Sequence, residues 1–183
     1  MKTTAIILLC ALLPAWGICQ STLSMDKVET RRELSMSQVN GRTSDGMYRY
    51  YEKGSSTPYT GVLTASYDNG QILAWQEYVD GIGQGKWINY YENGEYKEIG
   101  YFEQNRVEGP IQKFHSNGQL QAEGTYKDWR IKINVWKYYD EAGQLIATRD
   151  YGEKGSIEEV QEYYDRGDIS YRWYKQILAD NGF

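Results

Sequence analysis

Cysteine is almost missing: the 183 residues contain only Cys10 and Cys19, both near the start of the chain. A disulfide framework and a thiolate metal site are therefore excluded downstream of position 19. Histidine is scarcer still, with His115 alone, so an imidazole cluster for a metal is excluded too. Positive charge is in the minority, with 20 Lys and Arg against 25 Asp and Glu and a net charge of −5. That balance argues against nucleic acid or an anionic membrane as partner, since both demand basic surface. Long apolar runs are lacking as well. The longest, Ala5 to Leu13, falls short of the roughly 20 residues that span a bilayer.

That run sits after Lys2 and before Pro14 and a set of small residues, which is the layout of a secretory signal peptide. The expectation is a signal peptide over 1–19, cut after Gly17 or Cys19, and an exported product in the periplasm or secreted. Lipidation of Cys19 would make it an outer-surface lipoprotein, although Trp16 and Ile18 stand where a lipoprotein signal wants leucine and a small residue. Residues 20–45 are polar and without a clear period. They read as a leader that contributes one irregular edge strand around Glu33 to Val39.

What the chain has in abundance is tyrosine, 18 residues, and glycine, 19 residues, and both recur at a fixed spacing. Gly70, Gly94, Gly118, Gly143 and Gly167 lie 24, 24, 25 and 24 residues apart. Seven positions before them stand Leu63, Trp87, Ile111, Trp136 and Val160, and two after them Ile72, Tyr96, Leu120, Leu145 and Ile169. Alternation of apolar and polar side chains flanks each glycine, so each unit reads as a β-hairpin. Asn93-Gly94 has the composition of a two-residue type I′ loop, which sets Tyr91 opposite Tyr96, Asn89 opposite Glu98, Trp87 opposite Gly100 and Gly85 opposite Phe102. The fold expected is all-β, an elongated antiparallel meander of about five to six repeated hairpins over 46–174. Gly46 to Gly54 is a shortened first unit, and 175–183 form a short C-terminal cap with one helical turn. Each hairpin can bury its rings only against its neighbours, the logic of a one-dimensional repeat protein.

The pattern Gly-x-Trp-x-x-Tyr-Tyr-Glu-Asn-Gly at Gly85 to Gly94, with degenerate copies from Gly61, Gly109 and Asn134, resembles the MORN-type repeats of bacterial YwqK-like proteins. The resemblance covers about Gly46 to Tyr174. It implies a binding role, because YwqK-like proteins carry an antitoxin label that means capture and neutralisation of a partner protein. It transfers no catalytic motif. An exported chain would meet its target outside the cytoplasm, as an immunity protein does.

No active site is legible in the residues themselves, so the expectation is a non-enzymatic protein without cofactor or metal. His115 occupies the row otherwise held by Tyr67, Tyr91 and Tyr164, and reads as a ring replacing tyrosine. Glu98 with Glu103 and Glu108, and Glu158-Glu159 with Glu162, read as solvated surface. Gly81 to Gly85 leads into a strand, not a helix, so it lacks the dipole that holds phosphate. The candidate binding residues are instead a row four positions before the turn glycines: Tyr90, Phe114, Tyr139 and Tyr163, with Tyr50 at one end and Ser66 interrupting. A thin sheet leaves such a row on one face, where it suits a protein or peptide partner. The competing reading is a structural envelope component that self-associates through its sheet edges.

Overall fold

A computed structural model describes residues 32–183; the expected signal peptide and the leader up to residue 31 lie outside the described residues. In chain order the strands are β1 (Glu33–Ser35), β2 (Val39–Ser44), β3 (Met47–Glu52), β4 (Gly61–Ser66), β5 (Ile72–Val79), β6 (Ile82–Tyr90), β7 (Tyr96–Glu103), β8 (Arg106–Val107), β9 (Gly109–Phe114), β10 (Leu120–Lys127), β11 (Ile131–Tyr139) and β12 (Leu145–Asp150). Two helices follow, α1 (Glu158–Asp165) and α2 (Tyr171–Asp180). Among the described residues, ten strands form one sheet in the order β1-β4-β5-β6-β7-β9-β10-β11-β12, with β8 also on β7. Every pairing in it is antiparallel except that of β1, which runs parallel to β4 at one edge. The chain is thus the expected all-β meander, and Glu33 begins the expected edge strand.

Register in the central hairpin follows the glycine pattern: Gly85 pairs with Phe102, Trp87 with Gly100 and Asn89 with Glu98. The turn differs from the expectation. Tyr90, not Tyr91, pairs with Tyr96, and Lys97 bulges out of the ladder. The Tyr91 N–H donates to the Glu95 carbonyl at 2.8 Å, and the Gly94 N–H donates to the Tyr91 carbonyl at 2.9 Å. Asn93 keeps a negative φ while Gly94 takes +88°. With one left-handed residue instead of two, the loop is a type I turn closed by a glycine bulge, a three-residue connection. Asn93 Oδ1 is then placed to accept the Glu95 N–H at 3.1 Å. The same backbone bonds close the turns at Tyr67–Gln71, His115–Gln119 and Asp140–Gln144. True two-residue loops with both φ positive occur elsewhere, at Asp45-Gly46, Asp80-Gly81 and Gln104-Asn105. The loop between β10 and β11 has three residues, Asp128, Trp129 and Arg130, all at positive φ. That extra residue accounts for the single interval of 25.

Two ends of the expected array fold otherwise. The shortened unit at Gly46 pairs with the leader, β3 against β2, as a separate two-stranded sheet. The Gly167 unit is helical. Glu158 and Glu159 favour the positive N-terminal end of α1, and Ser170 caps α2 by accepting the Trp173 N–H at 3.3 Å. Gly167 is left-handed as anticipated, with φ +79°, but its N–H donates to the Tyr164 carbonyl and that of Asp168 to the Tyr163 carbonyl. That pair of bonds is a Schellman stop, so the same demand for positive φ serves a helix end and not a hairpin.

Packing follows the repeats. Trp87, Val107, Ile111, Ala122, Tyr126 and Trp136 form the central core on one face. Val39, Tyr59, Leu63 and Tyr78 form a second cluster under the β2–β3 hairpin, and Ile131, Val160 and Ile177 a third under the helices. Neighbouring units are also tied at their turns. Tyr67 Oη donates to the Tyr90 carbonyl and Tyr91 Oη to the Phe114 carbonyl, each at 2.8 Å. His115 Nε2 reaches the Tyr139 carbonyl at 2.9 Å, so the histidine continues the tyrosine ladder as a donor. His115→Tyr should leave the melting temperature nearly unchanged, whereas His115→Phe removes a donor and should lower stability by about 1 kcal/mol. Equal losses in thermal denaturation would contradict that role.

Candidate functional site

Alternation places Trp87 on the core face and Ile88 and Tyr90 on the other. On that outer face, the bulge at Lys97 turns Tyr96 away from the Trp87 side, where simple alternation had put it, and sets it against Tyr90. The rings of Tyr90 and Tyr96 lie 5.4 Å apart, and those of Tyr96 and Phe114 6.0 Å apart. Equivalent bulges pair Ser66 with Ile72, Phe114 with Leu120 and Tyr139 with Leu145. The outcome is a ladder of alternating partners along the turn end of the sheet. Ile72, Tyr96 and Leu145 are 41%, 45% and 55% exposed, while Tyr90, Phe114 and Tyr139 are half-buried beneath and between them. Tyr139 Oη donates to Glu123 at 2.9 Å, and burial together with that carboxylate pushes its hydroxyl pKa up to about 12.

The structure therefore brings together three of the five row residues, Tyr90, Phe114 and Tyr139. Tyr50 and Tyr163 do not extend the row. Tyr50 belongs to the separate hairpin and packs on the opposite face, its ring 5.2 Å from that of Tyr78. Tyr163 lies on α1, where the Arg130 and Arg166 guanidinium groups sit 5.0 and 4.6 Å from its ring centre. The exposed members of the ladder, Ile72, Tyr96 and Leu145, were missed as site residues. Their signal was present in the column two residues after each turn glycine, but only the bulge reveals which face it joins.

Glu98 and Glu159 were read as solvated and are not. Glu159 is only 5% exposed. It accepts from Tyr126 Oη at 2.6 Å, Lys113 Nζ at 2.9 Å and Arg130 at 3.0 Å, with Lys132 Nζ at 3.5 Å. Arg130 also binds Glu98 with both terminal nitrogens, at 3.2 and 2.9 Å, and Lys113 lies 3.6 Å from Glu98. Burial alone raises both carboxyl pKa values, but the cations outweigh it and hold both below the ordinary range. Three cations and two carboxylates thus fasten α1 to the sheet. Carboxylates held ionised in this way are suited to clamping and poorly suited to donating a proton.

Among the described residues, no helix is long and apolar enough to cross a membrane, and no group of three or more His, Cys, Asp or Glu is arranged to hold a metal. No curated protein matches the chain. The model of a family described as a MORN repeat variant matches residues 84–104 and 107–128. These are the β6–β7 hairpin and the unit running from Val107 through β10, the two central copies of the period. The repeats at the centre of this chain are MORN-type repeats.

Proposed function

We propose that this chain is an exported, non-enzymatic protein that binds an extended segment of another protein along the outer ladder. The observation that carries the reading is a set of large apolar side chains on one face, Ile72, Tyr96 and Leu145 exposed and Tyr90, Phe114, Leu120 and Tyr139 half-buried, with the rings of Tyr90, Tyr96 and Phe114 in succession. Apolar side chains backed by half-buried rings supply area with little rotamer entropy to lose, which is what a protein-binding surface needs. The MORN-type repeats are consistent with protein binding. The likeness to YwqK-like proteins, with their antitoxin label, suggests neutralisation of a partner, and a signal peptide would make the setting one of immunity outside the cytoplasm.

Replacing Tyr90, Phe114 and Tyr139 together with serine tests the ladder. Recovery of the partner from envelope extracts of the native host should fall by about tenfold or more, the scale of losing aromatic anchors. A folded triple variant that recovers its partner undiminished contradicts the reading. Intact-mass measurement from the same host tests export, and retention of Met1 to Ala15 contradicts it.

A second reading has its own observation. Strand β12 ends the sheet, with no strand on its far side among the described residues, and Leu145 and Ile146 are 55% and 65% exposed there. An open, apolar edge is a template for pairing with another copy, and the protein would then be a self-associating component of the envelope. Sedimentation that is independent of concentration contradicts this reading.

A further inference from the structure

Alongside the ladder, the turn end of the sheet carries a row of carboxylates that no cation of the described residues neutralises. We propose that the segment lying on the ladder is cationic, with Lys or Arg side chains beside its apolar anchors that reach this acidic rim. The inference rests on the ladder reading above and adds the partner's charge to it.

The four turns 67–71, 91–95, 115–119 and 140–144 hold Asp68, Glu92, Glu95, Asp140 and Glu141 and neither Lys nor Arg. Among the described residues, none of these five acids enters an ion pair. Elsewhere in the sheet carboxylates do find cations: Glu98 and Glu159 share Lys113, Arg130 and Lys132, and Glu123 takes Lys137 at 3.2 Å. Lys97, which follows the second of these turns, belongs instead to the space beside α1, with Lys132 and Arg166.

The rim is built before any ligand arrives. A Cβ added at Gly118 would stand 2.9 Å from Glu95 Oε2, so this carboxylate lies across the next turn, over a glycine that leaves it room. Gln71 and Gln119 approach Gly94 and Gly143 in the same way. Asn69 Nδ2 donates to Glu92 Oε1 at 3.2 Å, and Asn93 Nδ2 donates to the Ser116 carbonyl at 2.8 Å. Each turn thus holds the next. The acids of the last three units stand one or two residues along the chain from Tyr90, Tyr96 and Tyr139 of the ladder.

Charge of one sign along an apolar strip selects the occupant. A fixed negative field draws a basic segment and speeds its encounter, whereas it repels an acidic one. A second copy of this chain presenting the same face would set like charges against each other. Spacing narrows the choice further. Ile72, Tyr96, Leu120 and Leu145 stand on every second strand, about 10 Å apart. An extended chain with three residues per turn returns every third side chain to one face about every 9 Å. A Leu-Lys-Pro repeat therefore meets ladder and rim together.

The full chain is titrated at low salt with a fluorescent peptide of four Leu-Lys-Pro repeats and with its Leu-Glu-Pro counterpart, and binding is read by anisotropy. The Lys peptide is expected to bind saturably and about tenfold or more tighter than the Glu peptide. Glu92→Gln, Glu95→Gln and Glu141→Gln together should weaken it by about tenfold, the scale of three exposed charge pairs, and flatten its salt dependence. These three side chains are exposed, so the variant keeps its fold. No saturable binding of the Lys peptide, equal binding of the two peptides, or undiminished binding by the glutamine variant overturns the charge inference and leaves the ladder reading to its own test in envelope extracts. The serine variant of Tyr90, Phe114 and Tyr139 separates the two: binding of the Lys peptide that survives it refutes the ladder as the docking surface, and with it the inference built on the ladder.

Discussion

Glu159→Ala is expected to destabilise the protein by about 3–5 kcal/mol, because it leaves Lys113, Arg130 and Lys132 with one buried carboxylate, Glu98, in place of two. In a chain of this size that loss lowers the melting temperature by about 10 °C. Lys132 loses its one carboxylate partner among the described residues and Lys113 keeps only Glu98 at 3.6 Å, while Arg130, within 5.4 to 5.6 Å of the Trp87 and Tyr126 rings, keeps both of its bonds to Glu98. The network also fixes the acid limb of stability. Glu98 and Glu159 both have pKa values in the folded chain below their ordinary 4.5. The folded state therefore binds their protons less readily than the unfolded state. Their stabilisation is complete above about pH 4.5 and is lost as the pH falls through the range beneath it. Denaturant titrations from pH 7 to pH 3 should show a drop in wild type that is smaller in Glu159→Ala. Parallel curves would show that the network does not carry the acid sensitivity.

The second large effect lies in the core. A Cβ added at Gly124 would stand 2.2 Å from Cδ2 of Trp136, and Trp136 is wholly buried. Gly124→Val therefore forces the indole out of its place, at a loss of about 3 kcal/mol. Trp136→Ala alone should lose about 3–5 kcal/mol through the cavity it leaves. The pair in one chain should lose less than the sum by more than about 1 kcal/mol, because the valine fills part of the space that the tryptophan vacates. Additive losses, measured by urea denaturation, would contradict the direct contact.

The period and the facing of the strands before each turn were legible, because those depend on neighbours two residues apart and on turn glycines that repeat. Trp87, Ile111 and Trp136 stood in one repeating column for that reason, and the structure places all three in the central core. What the sequence did not show depends on longer range or on a choice between local structures of similar demand. Gly167 asks for positive φ exactly as Gly94 does in composition, and only the Glu-rich run before it and Ser170 after it distinguish a helix stop from a hairpin. Tyr163 left the aromatic row with that helix. Tyr50 left it because β3 found its partner in the polar leader, where no alternation announces a strand. The ion network joins Glu98 of β7, Lys113 of β9, Arg130 of a loop and Glu159 of α1, residues up to 61 positions apart in the chain, and no local pattern connects them. The ladder was half legible: the rings of Tyr90, Phe114 and Tyr139 were found, while Ile72, Tyr96 and Leu145 joined them only through bulges.

The most direct measurement of the central claim, that the outer ladder contacts a partner protein, is site-specific photocrosslinking in the native host. A benzophenone side chain at position 96 replaces a residue that is 45% exposed at the centre of the ladder, and one at position 171 replaces a residue that is 63% exposed on α2. The account predicts one discrete adduct with a different protein from position 96, absent from position 171 and lost when Phe114 and Tyr139 are also serine. Identical adducts from both positions, no adduct from position 96, or an adduct with a second copy of this chain alone would contradict it.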